Sequence, residues 1–213
     1  VAKIDQFGNL RVQQGINPHQ FEWILEPNES FCTPQSVICY SDSGIGAMTR
    51  EYHDVFRNNL MRSKWVNKKR PILINNWEGT YFDFTEEKLL QMAEKAHQAG
   101  VELFVLDDGW FGKRNNDTCS LGDWKVNYDK LPSGIDGLAE KINKIGMKFG
   151  LWFEPEMVSP ISELYKEHPD WCIHIPGRNR SEARRQLILD YSREDVCNYI
   201  IEKSEFEDAG YDR

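Results

Sequence analysis

A repeated order of short apolar run, polar loop and amphipathic helix is the feature that most constrains the fold of this chain. The apolar runs lie at residues 71–75, 101–106 and 149–153, and helical patterns follow them at residues 85–100, 135–144 and 161–168. Each run is short and apolar throughout, as in a strand that is buried on both faces. Strands that alternate with helices in this way predict a parallel β-sheet, either a barrel or a doubly wound sheet.

The first helical pattern carries its own start and stop signals. Thr85 can cap the N-terminus, and Glu86 and Glu87 lie in the first turn, where the helix dipole favours negative charge. Gly100 stands where a C-terminal cap belongs. These signals predict a helix that starts after Thr85 and stops at Gly100.

Polar and aromatic residues follow each predicted strand at its carboxyl end. The three clusters read NNWE at residues 75–78, DDGW at 107–110 and WFEPE at 152–156. A glycine-rich phosphate loop does not follow the first strand, which disfavours a nucleotide-binding sheet. Carboxylates and tryptophans at successive strand ends are typical of the pocket of a (β/α)8 barrel. Because a full barrel needs about 250 residues, the fold class predicted for residues 70–213 is α/β, a partial (β/α)8 TIM barrel.

The first part of the chain has a different pattern. Residues 21–25 and 36–40 alternate between apolar and polar side chains, and Gly, Pro and Asn residues separate them. This pattern predicts antiparallel strands, too few to form an independent sandwich. From residue 43 to 60 the spacing becomes helical, which predicts a helical linker over residues 53–69. We therefore expect residues 1–52 to be the C-terminal part of a β domain and the start of that linker.

Composition argues against several classes of function. The 26 basic and 34 acidic residues give a net charge of −8, which disfavours nucleic acid as a partner. No apolar run approaches the roughly 18 residues of a membrane span, so we expect no membrane partner. The five cysteines form no CxxC pair and the histidines show no metal-binding spacing. We therefore expect no metal and a reducing, cytoplasmic location.

Aromatic residues make up 12% of this acidic chain, and seven of them are tryptophans. Aromatic faces pack on the C–H side of a sugar ring, while carboxylates accept hydrogen bonds from its hydroxyls. This combination is what a sugar-binding cleft requires.

Five ordered blocks of sequence resemble a known family. LFVLDDGWFG at residues 103–112, with NNWE before it and GLWFEPEM at residues 150–157 after it, is similar to the α-galactosidases of glycoside hydrolase family thirty-six. Between residues 15 and 42, GINP leading to FEW and TP leading to YSD resemble the end of that family's N-terminal β-sandwich. The resemblance implies that residues 1–52 end a β-sandwich domain and that residues 70–213 begin a catalytic barrel.

The resemblance also implies a function and gives roles to five residues. Members of the family are retaining hydrolases that remove terminal α-linked galactose, as in melibiose or raffinose, and use no cofactor. Asp107 and Asp108 match adjacent aspartates that hold the galactose hydroxyls at carbons four and six. Trp77 and Trp152 match aromatic walls of the pocket, and Arg184 matches an arginine that binds the sugar. Because members are often oligomeric, we expect the full-length parent to form a homo-oligomer.

The chain departs from the family pattern in its catalytic groups. The family's nucleophile is an aspartate in a Lys-Trp-Asp block on the next strand, and neither this block nor the acid/base aspartate is present. A retaining mechanism needs two carboxyl groups roughly 5 Å apart, whereas adjacent side chains on a strand diverge. We expect the chain to hold part of the galactose pocket and to be inactive alone, with both catalytic residues beyond Arg213.

Three other interpretations stay open at this stage. Asp107 or Asp108 could form a catalytic pair with Glu154 or Glu156 from the neighbouring strand end. The chain could instead be a non-catalytic galactoside-binding module. The third is galactosyl transfer between oligosaccharides, since a covalent glycosyl-enzyme can react with a sugar in place of water.

Overall fold

The computed structural model describes residues 1–18, 21–63 and 65–204. By the proximity of its Cα atoms, the chain divides into two units, Val1–Lys69 and Arg70–Arg213. None of the described helices is both long and apolar enough to cross a membrane. Residues 205–213, where the resemblance places the approach to the next strand, lie outside the described part of the chain.

The described part of the first unit contains a hairpin and a helix. Strands β1 (Ala2–Ile4) and β2 (Leu10–Val12) pair antiparallel. Helix α1 (Gly44–Val55) continues into a π-helical turn (Phe56–Leu60), which confirms the helical spacing expected from residue 43 to 60. Among the residues described in this unit, none is buried.

The strands predicted at residues 21–25 and 36–40 are not formed. Both segments are irregular and mostly exposed to solvent. A strand needs a neighbour for its backbone N–H and C=O groups, and no strand among the described residues lies beside either segment. The prediction is wrong for these two segments because alternating side chains define two faces but supply no pairing partner.

The second unit begins with a parallel sheet whose strands neighbour one another in sequence order, β3-β4-β5. The elements in chain order are β3 (Leu73–Asn75), α2 (Trp77–Thr80), α3 (Glu86–Gln98), β4 (Leu103–Leu106), α4 (Gly134–Ile145) and β5 (Lys148–Leu151). In this register Leu103 lies opposite both Leu73 and Lys148. The predicted parallel sheet and its alternating helices are confirmed, and this part of the chain has an α/β fold.

Helix α3 forms where its capping signals indicated, and α4 forms where the helical pattern at residues 135–144 predicted it. The Thr85 hydroxyl accepts a hydrogen bond from the Lys88 N–H at 3.3 Å, and Gly100 after α3 has a φ of +88°. Gly146 ends α4 in the left-handed conformation. The apolar faces of both helices join one core with strand β4; its members include Leu89, Ala93, Phe104, Leu106, Leu138 and Ile142.

A small antiparallel sheet follows, with the strand order β6-β8-β7. Its strands and the nearby helices are β6 (Met157–Val158), α5 (Glu163–Glu167), a 3-10 turn (Pro169–Trp171), β7 (Glu182–Ala183), β8 (Gln186–Ile188) and α6 (Glu194–Ser204). Helix α5 confirms the helix expected from residue 161 to 168, whereas the sheet and α6 were not predicted. The sheet matters for the site because Arg184 lies in the turn between β7 and β8.

Candidate functional site

The carboxyl ends of β3 and β4 bring four polar residues together, and we call Asn75, Asn76, Asp107 and Asp108 the strand-end cluster. In the parallel register Asn75 lies opposite Val105, so the residues that follow both strands emerge at one edge of the sheet. The Asn76 N–H donates to the Val105 carbonyl at 3.3 Å. This edge is where an α/β sheet with polar strand ends places its ligands.

Asp107 is held by the two asparagines of the neighbouring strand. Asn75 Nδ2 donates to Asp107 Oδ2 at 2.5 Å, and the Asp107 N–H donates to Asn76 Oδ1 at 2.7 Å. The other carboxylate oxygen of Asp107 accepts from the Asp108 N–H at 2.7 Å. Asp107 is half-buried and Asn76 is fully buried. The carboxylate is thus fixed in orientation while part of it faces solvent.

Asp108 is oriented by a buried arginine. Arg114 Nε lies 2.9 Å from Asp108 Oδ1, and Arg114 Nη2 lies 2.8 Å from Oδ2. Asp108 is 5% exposed and Arg114 is fully buried. The third guanidinium nitrogen, Nη1, donates to the Cys119 carbonyl at 2.7 Å. This two-pronged ion pair fixes the orientation of the Asp108 side chain in a nearly dry environment.

A lysine organises the loop that carries both aspartates. Lys130 Nζ donates to the backbone carbonyls of Phe82, Gly109 and Arg114 at 3.0, 3.1 and 3.2 Å. The ammonium group also lies 4.8 Å from the centre of the Phe84 ring. Burial lowers the pKa of Lys130 from its ordinary value, and the nearby Asp108 opposes that shift. Lys130 therefore ties three backbone segments around the strand-end cluster.

The two predicted tryptophans flank this edge. Trp77 opens α2 directly after Asn76, and its ring makes edge contacts with Tyr81 at 5.2 Å and Phe82 at 4.9 Å. Trp152 follows β5, and its backbone N–H donates to the Leu106 carbonyl at 2.8 Å. Both side chains are half-buried. That the ring faces of these two tryptophans form walls of a pocket remains a prediction.

Arg184 reaches the same strand-end region through an acidic partner. Its Nη2 donates to Glu154 Oε1 at 2.8 Å, and Glu154 lies two residues after Trp152. Burial raises the pKa of the Glu154 carboxyl, while the Arg184 charge opposes that rise. The structure thus connects Arg184 to the strand end that follows β5.

A cavity of about 530 Å³ lies elsewhere in the second unit. It is bounded by the loop around Trp124 and by residues of α5 and α6, such as Leu164 and Tyr199. None of the five predicted site residues lines this cavity. It is a feature separate from the strand-end cluster.

Sequence reasoning missed the residues that support the site. Asn75 and Asn76 were noted at a strand end without a role, and Arg114, Lys130 and the Glu154–Arg184 contact were not predicted. Part of the signal was present, because a buried carboxylate such as that of Asp108 requires a nearby cation and Arg114 follows Asp108 by six residues. The partner of Lys130 could not be inferred, since it binds backbone carbonyls.

Comparison with known proteins places this site in a family. The model of the melibiase family matches residues 30–206. The α-galactosidase AgaA of Geobacillus stearothermophilus is 60% identical over 200 residues, which are 94% of this chain and 27% of that protein. The α-galactosidase Mel36A of Lactobacillus acidophilus is 50% identical over 93% of this chain and 27% of its own length.

Solved structures agree with these matches. The crystal structure of the family thirty-six α-galactosidase AgaB from Geobacillus stearothermophilus superposes with a TM-score of 0.88 at 61% identity, covering 95% of this chain and 28% of that one. A variant of AgaA has been solved in complex with raffinose. The chain spans about a quarter of the length of the curated relatives it matches. The resemblance drawn from the sequence blocks is confirmed, and this chain belongs to the melibiase family.

Proposed function

We propose that the whole protein carrying this chain is a retaining α-galactosidase that removes terminal α-galactosyl residues from oligosaccharides such as melibiose and raffinose. The chain supplies part of the galactose pocket, and the nucleophile and the acid/base lie outside it. AgaA and Mel36A, which are α-galactosidases, support the activity. The raffinose complex of the AgaA variant supports the class of substrate.

The observation that carries the proposal is the way the strand-end cluster holds two carboxylates. Asp107 is fixed by Asn75 and Asn76, and Asp108 is fixed by Arg114. A fixed, charged acceptor distinguishes an axial from an equatorial sugar hydroxyl, because the wrong epimer leaves that acceptor unpaired. We propose that the two aspartates bind the hydroxyls at carbons four and six, with Trp77 and Trp152 as walls.

The same contacts favour a binding role over a nucleophilic one. Both oxygens of Asp108 accept from Arg114, and both oxygens of Asp107 accept hydrogen bonds within the chain. Such contacts use part of the accepting capacity of each carboxylate, fix its orientation and leave its remaining lone pairs for sugar hydroxyls. A nucleophile supplied from elsewhere in the whole protein fits this arrangement better than an internal pair with Glu154 or Glu156.

The architecture that we propose follows from the sequential parallel sheet. Strands β3, β4 and β5 are the first three strands of a (β/α)8 barrel, whose remaining strands lie outside this chain. Residues 1–52 end a β-sandwich domain, and residues 53–69 link it to the barrel. We further propose a cytoplasmic homo-oligomer; the location is supported by five unpaired cysteines, all within the described residues.

The proposal is tested by changing each aspartate in the whole protein. In D107N and D108N we expect kcat/KM on an α-galactoside to fall by roughly ten-fold to a few hundred-fold, since a hydrogen bond to a charged group contributes about 1.5–3 kcal/mol. The matched control is D129N, which changes an exposed aspartate of the same unit and should leave kcat/KM unchanged. Rescue of D107N or D108N by azide would overturn the assignment, because azide replaces a missing nucleophile.

A further inference from the structure

Arg184 lies in an unusually constrained turn. Ala183 pairs with Gln186, so Arg184 and Arg185 form the two-residue loop of a hairpin. Their φ angles are +50° and +56°, and positive φ at both central residues is what a type I′ turn requires. Asn and Gly are favoured at such positions because other residues are strained in the left-handed region. Strained residues of this kind persist where the surrounding structure fixes them, and they concentrate at functional sites.

The surrounding structure fixes this hairpin to the segment that carries Glu154. Leu187 of β8 lies opposite Val158 of β6, and both are buried. The Leu189 N–H donates to the Glu156 carbonyl at 3.0 Å. The turn and the chain after β5 are therefore joined by backbone hydrogen bonds, and Arg184 reaches Glu154 from a defined position.

Glu154 is largely buried and has few polar contacts. Its side chain is 13% exposed, whereas that of Arg184 is 53% exposed. Oε1 accepts from Arg184, and Oε2 is buried without a hydrogen-bond partner in the described part of the chain. A buried carboxylate requires a counter-charge. Arg184 supplies it through a direct contact.

We propose that Glu154 is a positioning residue, which holds the Arg184 guanidinium at the rim of the galactose pocket; this inference rests on the proposed function. In this proposal Glu154 acts through Arg184 and does not touch the sugar. The exposed N–H groups of Arg184 remain available to sugar hydroxyls, and fixing them before binding reduces the entropy lost on binding.

The test is a double-mutant cycle in the whole protein. The variants are E154Q, R184A and the double variant, and isothermal titration with D-galactose measures Kd. We expect E154Q and R184A each to weaken binding about ten-fold, the equivalent of one charged contact. The double variant should bind no more weakly than R184A, because Glu154 has nothing left to position.

Matched controls come from the same hairpin. R185A removes the neighbouring arginine of the turn, and E182Q makes the same Glu-to-Gln change on the exposed strand β7. Both should bind galactose within two-fold of the unchanged protein. If E154Q fails to fold, E154D replaces it in the cycle, since it retains the charge and shortens the reach to Arg184.

Two results would overturn the inference. Losses that add in the double variant, to about a hundred-fold, would show that Glu154 contacts the sugar itself. Normal affinity in E154Q would show that the ion pair has no role in binding. Failure of the proposed function looks different, because the unchanged protein would then neither bind galactose nor hydrolyse an α-galactoside.

Discussion

At the scale of single residues, the site depends on the buried ion pair between Asp108 and Arg114. In R114M the Asp108 carboxylate stays buried without its counter-ion, and we expect a loss of about 3–5 kcal/mol in stability. Native-state hydrogen exchange at residues 107–114 of the whole protein measures this loss. The control K144M breaks the exposed pair between Lys144 and Glu140, whose atoms are 3.7 Å apart. Its effect should stay within about 0.5 kcal/mol, and equal effects in both variants would contradict the prediction.

Single residues also show which parts of the site could be predicted from the sequence. The apolar run before the adjacent aspartates predicted their place at a strand end, and the structure confirms that both follow β4. Their role as ligands was implied only by the family resemblance. Arg114 and Lys130 lie in the irregular segment between β4 and α4, where no periodicity relates sequence position to direction. Which carbonyls or carboxylates such side chains reach depends on the path of the loop.

At the scale of elements, Glu86 joins the start of α3 to α4. It is buried, accepts from the Ser133 N–H at 2.9 Å and pairs with the Lys141 ammonium. The sequence had suggested only a favourable charge at the helix N-terminus. We expect E86Q to lower the thermal midpoint of this unit, by an equivalent of about 0.5–1.5 kcal/mol, because the neutral amide loses the ion pair with the partly exposed Lys141. The control is E87Q. It removes the same helix-dipole interaction from the exposed neighbour and leaves the link between Glu86 and α4 intact.

The contribution of Glu86 to the stability of the fold should decrease as the pH falls. Burial alone would raise the pKa of Glu86, but the Lys141 ammonium and the Ser133 N–H hold that pKa below its usual value. An acid with a lowered pKa in the folded state stabilises the fold above its unfolded pKa of about 4.3. This stability is lost as the pH falls through the folded value. Thermal midpoints of the unchanged protein and of E86Q should therefore differ at pH 7 and converge in acid.

Elements were predictable where they are long or strongly periodic. Helices α3 and α4 have apolar faces and capping residues, and their bounds lie within a few residues of the prediction. Strands β6, β7 and β8 have two or three residues each, which is too short for a detectable period. Residues 21–25 show the opposite failure, since alternation was present without a strand beside it.

At the scale of the whole molecule, the chain taken alone exposes surface that a folded domain normally covers. Ile72 and Leu73, at the outer strand β3, are 62% and 52% exposed, and the described part of Val1–Lys69 has no buried residue. We expect the isolated chain to associate with itself as its concentration rises, because unpaired strands and apolar patches attract each other. Sedimentation velocity measures this association.

A charged variant provides the control for that prediction. I72K places a lysine beside the open edge of β3, where it should reduce association without removing a core side chain. A monodisperse monomer with a sharp, cooperative melting transition would contradict the prediction. It would mean that the chain is a self-sufficient domain.

Strands β3, β4 and β5 pair in the order in which a ribosome synthesises them, so the strand-end cluster can assemble on the nascent chain. Asp107 meets Asn75 and Asn76 across sequence separations of 32 and 31 residues, and all three emerge from the exit tunnel before β5. Arg184 follows Glu154 by 30 residues and is the last of the predicted site residues to be synthesised. During synthesis, the carboxylates of the strand-end cluster leave the ribosome before the Arg184 guanidinium that pairs with Glu154.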